Sequence, residues 1–251
     1  VEALLETRQL VKAFGGFRAV DAVDFAVRPG EMLGLIGSNG AGKTTLVNVV
    51  SGLHPATAGT ILFAGRDVTR QTVNERIRAG IARSFQLVNL FDQLTTLDNV
   101  ALTVFAREGK TRALATLADR DRAVREEAEA LLARFGLEAR ARQAAGALSQ
   151  GERKLLDVAI AYALRPKLLF LDEPTSGVST REKAPIMDVI TGVVRSERLT
   201  AVVIEHDMDI VYGYSDRIVA MHEGRILAEG TPDEIRRDER VLENLLGRPE
   251  A

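Results

Sequence analysis

The sequence predicts an α/β protein with a mostly parallel core sheet, antiparallel β structure ahead of it and an α-helical insertion inside it. Three observations predict this. The apolar runs 32–36, 168–171 and 201–204 each have the length and composition of a buried parallel strand. A glycine-rich loop joins the first run to a helical apolar pattern carried by Leu46, Val47, Val49 and Val50. From about residue 89 to 161 the chain turns rich in Ala, Leu, Glu and Arg and poor in β-branched runs, which reads as a helical insertion. The 251 residues are 46% hydrophobic and 27% charged, enough to bury a substantial core. A net charge of −2 provides no basic field, so no nucleic-acid partner is expected. The chain has no cysteine, which excludes disulfides and thiolate metal sites. No apolar run approaches the ~20 residues that span a bilayer, and residues 1–6 predict no secretory signal.

In chain order, Leu5, Thr7, Leu10 and Val11 lead to the turn pair Gly15-Gly16, and Val23, Phe25 and Val27 then alternate up to Pro29-Gly30. This predicts antiparallel β structure over 4–30. Phe14, just before the glycine pair, either fills the core or stacks on a nucleobase. The loop itself reads Gly37-Ser38-Asn39-Gly40-Ala41-Gly42-Lys43-Thr44, the P-loop pattern. Its glycines let backbone N–H groups turn towards an anion, and the following helix N-terminus adds positive potential. Lys43 is placed to reach terminal phosphates, and the Thr44 hydroxyl to hold Mg²⁺.

A short strand is expected at 60–63, a helix at 73–80 and a strand at 81–85. Arg76, Arg78 and Arg83 form a local basic cluster, expected as a solvated face or a partner contact. His54 lies in a loop with no second ligand at metal spacing. Val124, Ala128, Leu131, Leu132 and Phe135 share one helical face, closed by Gly136, and residues 110–112 are expected as a surface loop. At 148–152 the chain reads Leu-Ser-Gln-Gly-Glu ahead of another apolar helix face. Ser149 is suited to cap that helix, and with the Gly151 backbone it also suits a second phosphate.

The run 168–171 ends in Asp172-Glu173. Open parallel sheets bind ligands at such strand tips, where Asp172 could hold Mg²⁺ and Glu173 could take a proton from attacking water. The run 201–204 ends in Glu205-His206; His206 is either a γ-phosphate or water contact or a surface histidine. A hairpin over 217–229 turns at 222–224, and Thr231 and Pro232 open the last helical stretch.

Together, in this order and over about residues 5–247, these stretches resemble the nucleotide-binding subunits of ATP-binding-cassette (ABC) transporters. Residues 37–44 match the family's Walker A sequence and 168–173 its Walker B sequence with the following glutamate. Gln86 matches the Q-loop, 148–152 the signature sequence, 176–179 the D-loop and His206 the switch histidine, while Phe14 falls on the adenine-stacking aromatic. The resemblance implies a P-loop NTPase fold of the ABC ATPase type as a single domain over 1–251. Residues 1–88 and 162–251 would form the RecA-like and antiparallel β core, and 89–161 a helical subdomain. It implies ATP and Mg²⁺ as cofactors. Phe14, Ser38, Asn39, Gly40, Ala41, Gly42, Lys43, Thr44 and Thr45 would contact nucleotide, and Thr44, Gln86 and Asp172 metal. Glu173, His206 and Gln86 would serve catalysis. Ser149, Gln150 and Gly151 would contact a nucleotide held by a second ABC ATPase subunit, identical or related, arranged head to tail. Two half-sites joined by a γ-phosphate favour a closed dimer that hydrolysis releases.

The remaining partners implied are transmembrane permease subunits, received around residues 86–91, and indirectly a periplasmic or extracellular substrate-binding protein. The place implied is the cytoplasmic face of the inner (plasma) membrane, with the chain bound peripherally. Two residues depart from the family's pattern. Glu152 stands where glutamine is common, and Ser179 ends the D-loop where aspartate is usual. Details at 14–16, 80–86, 89–91, 205–208 and 229–232 resemble the branched-chain amino acid import group. Import of urea, amides or other amino acids and lipopolysaccharide export are the alternatives, ahead of a non-transport ABC ATPase or a P-loop kinase.

Overall fold

The computed structural model describes residues 2–84, 90–109 and 121–245. Among these, β1 (Leu5–Phe14) and β2 (Phe17–Val27) form an antiparallel hairpin, pairing Leu5 with Val27 and Phe14 with Phe17. β3 (Met32–Gly37) is buried along its whole length and runs into the P-loop and α1 (Lys43–Val50). β4 (Ala58–Phe63) pairs with β1, and β5 (Arg66–Asp67) completes a four-stranded sheet in the order β2-β1-β4-β5. α2 (Val73–Ala79) starts with a Thr72/Glu75 capping box and ends at Gly80, whose φ of 111 turns the chain into β6 (Ile81–Arg83).

The helical stretch contains α3 (Thr96–Arg107), α4 (Arg122–Arg134) and α5 (Gln150–Ala163). β7 (Leu168–Asp172), α6 (Thr180–Ser196), β8 (Thr200–Ile204), α7 (Met208–Tyr214), the hairpin β9 (Arg217–His222) and β10 (Arg225–Gly230), and the short helices α8 (Pro232–Arg237) and α9 (Glu239–Leu245) follow. The second sheet has the order β10-β9-β3-β8-β7-β6 and is parallel except for its β9–β10 edge. The fold is thus α/β with a mostly parallel sheet beside an antiparallel one.

Strand alternation explains why this sheet joins two cores. Leu169 and Leu171 of β7 face Val100, Phe105, Leu132 and Leu156 in the core shared with the helical stretch. Leu168 and Phe170 face Leu46, Val50, Phe25 and Ile61 in the core shared with α1 and the antiparallel sheet. A third cluster packs α7, α8 and α9 on Ile36, Ile218 and Ala220. The same sheet therefore carries the acidic strand tip of β7, the P-loop and the mount for the helical stretch.

Of the basic cluster only Arg78 is exposed as a solvated face would be; Arg76 and Arg83 are not. Arg76 is 1% exposed and donates to the Val49 and Val50 carbonyls at 2.6 and 2.5 Å and to Thr69 O at 2.9 Å. It satisfies the C-terminal carbonyls of the P-loop helix, where a cation is favoured. Arg83, with only 9% of its side chain exposed, lies beneath the candidate site, bonded to Asp172 and Asn48. Ordered carbonyls and a carboxylate offset the desolvation that would otherwise keep both guanidinium groups in water. β6 is also shorter than the strand expected over 81–85, and Phe85 lies outside the described residues.

Candidate functional site

The P-loop is held from outside. A Cβ at Gly42 would lie 2.3 Å from the Ala19 carbonyl of β2, and φ there is 99, so glycine is required twice over. Gly224, in the β9–β10 turn, donates to Ala41 O at 3.0 Å and accepts from Asp21 N at 2.9 Å, which braces the loop from the hairpin side. α1 begins at Gly42 with no side-chain cap and no acid in its first turn, leaving first-turn amides to meet an anion. Lys43, 5% exposed, donates from Nζ to the Gly37 and Ser38 carbonyls at 2.6 and 3.1 Å. Burial pushes its pKa below the usual lysine value, and the charges of Glu173 and Asp172 oppose the shift. Thr44 is exposed beside Lys43, and Thr45 is half-buried.

Phe14 is not a core residue. It is 47% exposed, its ring meets His54 edge-on at 5.7 Å, and the Lys12 ammonium lies 4.9 Å from its centroid. Phe17, 66% exposed across the β1–β2 turn, adds a second aromatic that the sequence did not single out as functional.

At the sheet's C-terminal edge Asp172 is 3% exposed and bonded to Arg83 Nη2, while Arg83 Nη1 reaches Asn48 Oδ1 of α1. One guanidinium thus joins the P-loop helix, β6 and β7. Glu173 takes φ 49, an uncommon backbone for a side chain of its kind and of a sort that clusters at functional sites. Its Oε1 stands 3.0 Å from His206 Nε2, with His206 on the exposed side. The sheet therefore brings Glu173 and His206 together, although 33 positions separate them. Gln86 lies outside the described residues.

Sequence reasoning missed Glu205. It is 4% exposed, and its Oε1 accepts from Thr175 N and Oγ1 at 2.9 and 2.7 Å while Oε2 accepts from His206 N at 3.2 Å. It fixes the segment after Glu173 and the backbone of His206 at once. Asp207, two positions on, caps α7 and pairs with Lys183 of α6 at 2.7 Å. The Lys183 ammonium holds the Asp207 carboxyl below its usual pKa against partial desolvation.

Ser149 and Gln150 are exposed at the start of α5, and Gly151 is buried where an added Cβ would press to 3.1 Å on Ile186 of α6. Gly151 thus has a packing reason as well as the phosphate reason. Ser149 and Glu152 form a capping box, and Arg140 Nε pairs with Glu152 Oε1 at 2.6 Å. Glu152 is therefore already paired within the chain. Partial burial raises its pKa, but the Arg140 guanidinium and the Ser149 amide and hydroxyl outweigh this and hold it below the usual value. The hydrogen bonds of Ser149 stay within its own capping turn, and the residue is exposed.

The donors suited to a divalent cation here, the Thr44 hydroxyl and the Asp172 carboxylate, are hard oxygen ligands. Mg²⁺ takes one or two of these together with phosphate oxygens and water. Among the described residues no group of three or more His, Cys, Asp or Glu could hold a metal. No helix among them is long and apolar enough to cross a membrane.

Comparison with known proteins fits this geometry. Residues 20–176 match the family described as ABC transporter, and residues 225–250 match the family described as branched-chain amino acid ATP-binding cassette transporter. The chain is 35% identical over 252 residues to the high-affinity branched-chain amino acid transport ATP-binding protein LivG of Escherichia coli K12, with 98% of each chain covered. It is 34% identical over 250 residues to BraF of Pseudomonas aeruginosa, of the same description, covering 97% of this chain and 98% of that one. The solved ADP conformation of MJ1267, an ATP-binding cassette of an ABC transporter, superposes with a TM-score of 0.86 at 30% identity, covering 99% of this chain and 100% of that one.

Proposed function

Because the chain belongs to the ABC transporter family and is an ABC ATPase, we propose that it powers uptake of branched-chain amino acids as the ATP-binding subunit of an importer. The observation that carries the substrate class is the match of residues 225–250 to the branched-chain amino acid group, at the opposite end of the sheet order from β6. The ATPase site itself would be alike whatever the cargo.

In this reading the P-loop amides and Lys43 bind the ATP phosphates, and Phe14 takes the adenine ring. Glu173 accepts the proton of the attacking water, and His206, 3.0 Å from it, orients that water and the γ-phosphate. Bound with the nucleotide through Thr44, Asp172 and Gln86, Mg²⁺ would neutralise phosphate charge. Arg83 sets the orientation of Asp172 from beneath. Ser149, Gln150 and Gly151 meet the nucleotide of a second subunit, so ATP closes a head-to-tail dimer and hydrolysis reopens it. Residues 89–161 act as a helical subdomain that passes closure from Gln86 to transmembrane permease subunits. The chain itself sits peripherally on the cytoplasmic face of the inner membrane.

The test is uptake by cells lacking this chain. Labelled leucine uptake should be lost, and restored by the wild-type chain but not by Glu173→Gln. Unchanged leucine uptake with loss of another solute, such as urea, would overturn the substrate class.

A further inference from the structure

Lys154 stands on the buried face of α5, in the same helix that Ser149 caps, and is 6% exposed. Its Nζ donates to the backbone carbonyl of Glu173 at 3.1 Å and to Ser176 Oγ at 2.8 Å. The carbonyl it grips belongs to the residue with φ 49, and that same carbonyl accepts from Ser176 N at 3.1 Å. Ammonium and amide together thus hold an unfavourable backbone geometry in the turn that aims the Glu173 carboxylate at His206. Burial lowers the pKa of Lys154, and the charges of Asp157, Glu173, Glu205 and Asp172 oppose this. A buried ammonium is kept only where partners of this kind offset its desolvation.

The segment that Lys154 grips runs on to Ser179, where the family's aspartate is absent. The Ser179 hydroxyl donates to Glu182 at 2.6 Å and its amide to the same carboxylate at 3.2 Å, so both are turned into the start of α6. A link between the helix that faces the second subunit and this chain's own base therefore runs inside the chain, through Lys154. From these contacts we infer that Lys154 is a positioning residue for hydrolysis: it fixes the backbone of Glu173 and ties it to α5, so that nucleotide engagement at Ser149 is felt at the base of the same chain. The inference rests on the ATPase reading above.

The experiment compares the full-length chain carrying Lys154→Met, which keeps the bulk and removes the donor, with Lys154→Arg, which keeps a donor. Steady-state ATPase rates are measured against ATP concentration, and equilibrium binding with a non-hydrolysable ATP analogue. Lys154→Met should lower kcat by about ten- to a hundredfold, the scale of a misplaced catalytic group. KM and analogue affinity should stay within about twofold of wild type. Lys154→Arg should recover part of kcat, and Ser176→Ala added to Lys154→Met should cost little more. Unchanged kcat in Lys154→Met would overturn the inference. So would a loss matched by an equal loss of analogue binding and not recovered by arginine, since that marks a merely structural lysine. Glu173→Gln is the control: if it hydrolyses ATP at the wild-type rate, the functional reading falls and this inference with it. If it is inactive while Lys154→Met is not, only the role of Lys154 falls.

Discussion

The P-loop and the start of α5 are both helix N-termini furnished with glycine and a hydroxyl residue, yet they are built for opposite situations. α1 begins uncapped, with no acid in its first turn and with Lys43 inside the loop. α5 begins fully capped, with Glu152 bonded back to the Ser149 amide and neutralised by Arg140. One end leaves its amides and dipole for an anion; the other already spends part of its N-terminal potential on its own carboxylate. The P-loop is therefore a complete cradle, whereas α5 offers a weaker contact that matters when another surface brings the phosphate to it. This difference suits the proposed site shared between two subunits: strong binding first, conditional closure second.

Removing the strong half should have the largest effect. Lys43→Ala deletes a charged donor to phosphate, each such bond being worth about 1.5–3 kcal/mol, so ATP affinity of the isolated chain should fall by about ten- to a hundredfold in calorimetric titration. Retained affinity would mean that the loop amides suffice and that the contrast is drawn too sharply. The smallest effect should come from Glu152→Gln. Glutamine can keep the capping box, so stability should change by under ~1 kcal/mol. Removing the carboxylate from the conditional half should tighten ATP-driven self-association by a few-fold while leaving ATP binding to the isolated chain unchanged. Weaker self-association in that variant would show that Glu152, with Arg140, contributes to the contact instead of competing with it.

The parts of the site legible in the sequence are those built from contiguous residues. The run 37–44 between a strand and a helix, and the polar tips Asp172-Glu173 and His206 after buried strands, declare themselves because strand, loop and helix each leave a local period. What stayed hidden were charges whose partners come from distant elements. Arg83 and Asp172 are separated by 89 positions and Lys154 and Glu173 by 19, and no periodicity marks such a pair. Arg76 and Arg83 looked like solvent-facing charge because composition alone cannot reveal that carbonyls and carboxylates surround them. A signal did exist for Lys154. Gly151, Lys154 and Val158 follow i, i+3 and i+7 along α5, and all three are buried, so a lysine in that stripe must reach a partner. Phe14 had two readings in the sequence, and only the β1–β2 pairing decides that its ring lies outside the core.

The central claim is that a second chain completes the site at Ser149. It is tested most directly by sedimentation of the full-length Glu173→Gln chain with and without ATP, repeated with Ser149→Ala added. Glu173→Gln removes the base and leaves the cradle, so ATP should drive it into a dimer. Ser149→Ala costs a helix cap of ~1 kcal/mol, which the fold tolerates, and it should abolish the dimer without lowering ATP affinity of the monomer. Absence of an ATP-dependent dimer would mean that the second subunit is a related chain rather than an identical one, and a dimer indifferent to Ser149→Ala would contradict the account.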